Sequence, residues 1–145
     1  MSAFYVEPGQ EVAFSKTVGE SDVYLFAGIT GDLSSNHVNE HVMSKSSYGA
    51  RIAHGALLVG FMSTASTRMI EQAGPSDTET AVSLGYDRIR FVAPVFIGDT
   101  ITVRYRITEV DPARRRSRSA VTVENQDGKL VAAGEHTLKW VRNDA

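Results

Sequence analysis

The sequence predicts an α+β fold in which an antiparallel β-sheet wraps around one long central α-helix. Two observations carry this. Residues 54–73 form an apolar run whose Ala56, Leu57, Val59, Gly60, Phe61, Met62, Ala65, Met69 and Ile70 surround much of a helical circumference. The second half of the chain is strand-patterned, with Ile101, Val103, Tyr105 and Ile107 alternating with Thr102, Arg104, Arg106 and Thr108. A helix that apolar needs cover, and strands are the only elements left to supply it. The competing arrangement, a sandwich with the helix on one open face, leaves too much of the helix wet.

The elements follow in order. A first strand is expected at 11–18. Ser21 can cap a helix running to Ile29, with Val23, Phe26 and Ala27 on one face and Gly31 ending it. A loop of small polar residues comes next, then a short helix starting near Asn39. Gly74-Pro75 stops the long helix. The strand at 78–92 changes alternation phase near Gly85, as a bulge requires, and the strands 117–125 and 129–141 flank Asp127-Gly128, a strong hairpin signal. A sheet curled around a helix in this way is the hot-dog arrangement.

With 145 residues, 42% hydrophobic and 22% charged, the chain can bury one core, and a single domain over 1–145 is expected. The absence of cysteine excludes disulfides, thiol nucleophiles and thiolate metal sites, and it suits a reducing compartment. The N-terminal residues lack the apolar stretch of a secretory leader, so a cytoplasmic location is expected. A net charge of -2 gives no basic field for nucleic acid. The most apolar segment, 52–65, is broken by His54, Gly55, Ser63 and Thr64 and is too short to span a membrane.

Asp32 and His37 are the first candidates for chemistry. Five residues apart, they diverge on a helix and on a strand, so only a turn brings them together. Leu33-Ser34-Ser35-Asn36 between them favours turns. Spacing alone serves equally a helix-capping aspartate and a half-exposed histidine. His54-Gly55 opens the long helix, where free amides and the positive dipole end suit a developing oxyanion; close packing of the helix start is the plain alternative. Ser63 returns to the face of Gly55 two turns later, able to bond a carboxylate or its own preceding turn. His37 and His41 have the i, i+4 spacing of a helical metal pair but no evident third ligand. His136 reads as an ordinary sheet side chain. The run Arg114, Arg115, Arg116 and Arg118 reads as a solvated turn or a contact for phosphates.

Four segments in consistent order, FAGITGD (26–32), His37, YGARIAHGALL (48–58) and RFVAPVFIGDTI (90–101), resemble the MaoC-like (R)-specific enoyl-CoA hydratases over about residues 8–140. The resemblance implies a hot-dog homodimer, or a higher homo-oligomer, acting on an enoyl thioester of coenzyme A. Asp32 and His37 would add water syn across the double bond, or remove it, with Gly55 N–H as oxyanion donor and Ser63 supporting the aspartate. Ile52, Ala53, His54, Phe91 and Pro94 would contact substrate. No metal or cofactor is implied, coenzyme A being part of the substrate. A hot-dog thioesterase and a non-catalytic acyl-CoA-binding subunit are the alternatives. One departure stands out: family members commonly carry Asn-Pro two residues after the aspartate, where this chain has Ser34-Ser35 and then Asn36, so a less rigid loop is expected.

Overall fold

The computed structural model describes residues 4–144. Strand β1 (Glu11–Thr17) leads into α1 (Glu20–Thr30), then two single-turn helices, α2 (Ser35–Val38) and α3 (Glu40–Met43), and the long helix α4 (Gly55–Ala73). Four strands complete the chain: β2 (Glu79–Phe91), β3 (Thr100–Asp111), β4 (Arg116–Glu124) and β5 (Leu130–Arg142). They form one antiparallel sheet in the order β1-β3-β4-β5-β2.

The alternation expected for β3 is the one observed. Ile101, Val103, Tyr105 and Ile107 are buried on the concave face, joined there by Val121 and Val123 of β4 and Leu138 and Trp140 of β5. Against them α4 sets Leu58, Phe61, Met62, Ala65 and Met69. The hairpin at Asp127-Gly128 forms, with Gly128 at φ 73°. The phase change near Gly85 is a register shift between Ser83 and Gly85, and a second follows between Asp87 and Arg90.

Two details differ from the sequence reading. Helix α1 is capped by Gly19 rather than Ser21, because the Asp22 carboxylate accepts from the Gly19 amide at 2.8 Å and closes the first turn one residue earlier. Helix α4 is covered on one side only. It packs on β1, β3 and β4, while its strip of Ala56, Gly60, Ser63 and Thr67 is exposed. Five strands cannot reach round a helix, and the exposed strip carries only small side chains.

His136 lies at the centre of the concave face, in phase with Leu138 and Trp140. It is fully buried, with Tyr105 Oη 2.6 Å from Nδ1 and Ser83 Oγ 2.7 Å from Nε2. Burial pushes its pKa down to about 4 and pushes the Tyr105 phenol up to about 12. Between pH 6.5 and 4 the unfolded chain therefore binds a proton that the native protein refuses. Stability is complete above about pH 6.5 and falls as pH drops toward 4, by at most about 3 kcal/mol from this residue. Denaturant titrations of H136Q at pH 7 and pH 4.5 are expected to show a smaller acid loss than the parent.

Candidate active site

The site is built on residues 51–54, which lead into α4. Each holds a different part of the chain. The Ile52 amide donates to Asn36 O at 3.0 Å, and Ile52 O accepts from His37 Nδ1 at 2.7 Å. The Ala53 amide donates to Val95 O at 2.7 Å, tying the segment to the stretch after β2. His54 Nε2 donates to Asp32 O at 3.0 Å. Arg51, only 9% exposed, pairs with Glu20 of α1 and Glu40 of α3, donates to Tyr24 Oη at 3.1 Å and reaches His37 O at 3.5 Å. Its hydrogen bonds hold the guanidinium charged and draw the Glu20 pKa down.

The segment 31–38 turns as the spacing required. Gly31, at φ 81°, ends α1 in the left-handed conformation that glycine adopts freely. The segment expected to be a loose loop is then a helical turn. Ser34 caps α2, its Oγ accepting from the Asn36 amide at 3.4 Å, and the Ser34 amide donates to Asp32 Oδ1 at 3.4 Å. Serine serves well at a helix N-cap, so these hydrogen bonds supply order where a proline would have restricted φ.

Asp32, His37 and His54 converge, with one nitrogen or oxygen of each within 4.8 Å of the others. A carbonyl oxygen only accepts, so the bond to Ile52 O places the proton of neutral His37 on Nδ1 and leaves Nε2 as a lone pair. His37 lines a cavity of about 270 Å³ together with Ile52, Ala53, Gly55, Leu58, Phe91 and Pro94. Gly55 is the first residue of α4, where its amide has no intrahelical acceptor. Phe91, half-exposed at the end of β2, lies across it. Phe91 and Pro94, which the resemblance implies contact substrate, lie on the wall of this cavity. His54 does not line the cavity; it is buried beneath His37, ring centroids 3.6 Å apart and planes 24° apart.

Other candidates lie elsewhere. Ser63 is about 12 Å further along α4 than Gly55, exposed and facing Tyr86, whose pKa burial raises against the opposing Ser63 hydrogen bond. His41 is exposed on α3, with Lys45 Nζ 3.2 Å from its Nε2. Arg114 and Arg115 occupy the β3–β4 turn and Arg116 and Arg118 begin β4, roughly 20 Å along β5 from Phe91. Arg114 pairs with Asp111, and Arg115 with Glu79, whose carboxyl it holds below the usual range. In a larger groove of about 610 Å³, Arg115 is paired with Glu79 and Arg142 with Asp144. His37 Nδ1 and His54 Nε2 are bonded to carbonyls, which leaves His37 Nε2 and His54 Nδ1 as the lone-pair nitrogens of the two stacked rings.

Sequence reasoning missed Arg51. Its signal was a lone charge inside an apolar stretch, but its partners lie 31 and 11 residues away, a pairing no local pattern reveals. A Cβ on Gly55 would stand 2.7 Å from the Phe91 ring and 2.9 Å from its Cγ, so the whole ring must move. G55A is expected to destabilise the protein by about 1–2 kcal/mol. In an F91A background the same change is expected to be neutral or stabilising, since alanine favours helix. Chemical denaturation of the four proteins checks the reversal.

A family model for the MaoC like domain matches residues 4–129. Among curated proteins, the (R)-specific enoyl-CoA hydratase of Rhodospirillum rubrum is 38% identical over 136 residues, covering 92% of this chain and 87% of that protein. The 3-hydroxybutyryl-CoA dehydratase of Methylorubrum extorquens is 36% identical, covering 92% and 80%. Among solved structures, the (R)-hydratase from A. caviae involved in PHA biosynthesis superposes with a TM-score of 0.83 at 25% identity, covering 92% of this chain and 96% of that one. The sheet curled on its helix is the hot-dog fold, and the chain belongs to the MaoC-like domain family.

Proposed function

We infer that this protein is an (R)-specific enoyl-CoA hydratase, adding water reversibly across the double bond of an enoyl thioester. The observation that carries the reading is His37, whose Nε2 is bare, with a ring nitrogen within 4.8 Å of an Asp32 oxygen and on the wall of a cavity that Gly55, the first residue of α4, also lines. The relatives named for this reaction share the family and nearly the whole chain length. In the reading, Asp32 orients one water by accepting one of its hydrogens. His37 Nε2 takes the other proton as the water oxygen bonds to Cβ, and the double-bond electrons move to the thioester oxygen. The Gly55 amide, at the positive end of α4, stabilises that enolate. His37 then returns its proton to Cα, and the enolate collapses. Both new bonds form from one wall, so the addition is syn. No step needs a metal or a cofactor beyond the coenzyme A of the substrate.

We further propose a homodimer. Strand β2 is a free edge carrying half-exposed Val82, Leu84 and Phe91, an arrangement proteins rarely leave uncovered. A second copy would also cover the small-residue strip of α4, from which Ser63 could support Asp32 of the partner subunit. No helix among the described residues is long and apolar enough to cross a membrane. A cysteine-free chain suits the cytoplasm, the compartment we assign.

Adding the protein to enoyl-CoA thioesters of graded length is expected to bleach their conjugated ultraviolet absorbance. D32N and H37A should each lose about 10²- to 10⁴-fold in kcat, and full activity should survive exhaustive chelation. Unchanged rates in both variants reject the site; release of free coenzyme A thiol without hydration points to thioester hydrolysis. Sedimentation equilibrium is expected at twice the chain mass.

A further inference from the structure

The geometry points to His54 as a positioning residue that sets Asp32 and His37 relative to one another. The inference rests on the functional reading above and adds a residue to it. Asp32 and His37 belong to different local structures. Asp32 follows the left-handed Gly31 at the end of α1, and His37 sits in α2. Within the intervening chain they are linked through Ser34, whose amide donates to Asp32 Oδ1 at 3.4 Å and whose carbonyl accepts from the His37 amide at 2.9 Å, bonds that leave the His37 ring and the Asp32 peptide plane to be set from outside. A single imidazole touches both. Its Nε2–H pins the Asp32 carbonyl at 3.0 Å, which fixes the peptide plane from which the Asp32 side chain springs. Its face lies against the His37 ring at 3.6 Å and keeps that ring from turning away from Ile52 O. Phe26 packs on His54 at 4.7 Å, so the imidazole is held in turn.

The chemistry of His54 argues that these contacts matter. The residue is 2% exposed, and its Nδ1 has no hydrogen-bond partner among the described residues. A buried polar atom left unpaired costs stability, and a hydrocarbon ring would fill the same space without that cost. What phenylalanine cannot supply is the N–H to Asp32 O. His54 does not line the cavity, so its effect must reach the substrate through His37, which does, and through Asp32, which has an oxygen within 4.8 Å of a His37 nitrogen.

The experiment compares H54F, which keeps a flat ring and loses the N–H, with H54Q, which keeps an N–H and loses the ring. The expected result for H54F is a fall in kcat of between about tenfold and a hundredfold, KM within about threefold, and thermal stability no lower than the parent's. H54Q should recover part of the lost kcat. A side chain that served packing alone would move stability and leave kcat in place. Parental kcat in a folded H54F overturns the inference, provided D32N and H37A are inactive. If those two retain activity, the functional reading has failed and this inference with it. Long-range ¹H–¹⁵N correlation on the unsubstituted protein supplies an arm independent of variant folding. It should show His54 protonated on Nε2; protonation on Nδ1 overturns the assignment.

Discussion

Four consecutive residues, Arg51, Ile52, Ala53 and His54, are the constraint on which the site depends. They enter α4 as an extended strap, and each one is anchored to a separate element: α1 and α3 through Arg51, α2 through Ile52, the stretch beyond β2 through Ala53, the turn after α1 through His54. Taken singly these bonds are modest. A hydrogen bond contributes on the order of 1 kcal/mol net, and the Arg51 ion pairs reach carboxylates that are half in water. Their effect is geometric. Because the strap continues directly into α4, the base, the carboxylate and the helix-start amide are referred to one short rigid piece of backbone.

The sheet gives that piece a fixed platform. Strand β3 contributes an unbroken apolar row to the concave face, and α4 lies along it through Leu58, Met62, Ala65 and Met69. The start of α4 is thereby held over the end of β2, where Phe91 closes against Gly55. Only a residue without a side chain permits that approach, so Gly55 serves the packing while it lines the cavity at the start of α4. The same concave face carries a polar feature the reaction does not use, the buried His136 with Tyr105 and Ser83.

Much of this was legible in the chain. Period-two alternation revealed β3, the Asp127-Gly128 pair revealed the hairpin, and His54-Gly55 before an apolar run marked the start of α4. The pair Asp32 and His37 was legible only through its neighbours, since five-residue spacing is silent about a turn whose shape is set by Arg51 and His54 from beyond it. His54 was expected to contact substrate on the strength of the family resemblance. Its ring instead points under His37, a direction that depends on the backbone leaving the extended strap and no residue pattern encodes. His136 passed as ordinary although it is in phase with Leu138 and Trp140, and that phase alone assigns it to the buried face.

The chemical claim at the centre is that a base with a bare Nε2 and a carboxylate act from one wall on one water. Hydration of an enoyl-CoA carried out in D₂O, with the configuration of the product read at Cα and Cβ, tests it most directly. The account predicts a single diastereomer in which deuterium and oxygen have entered on the same face. Anti addition, or a mixture at Cα, would contradict it.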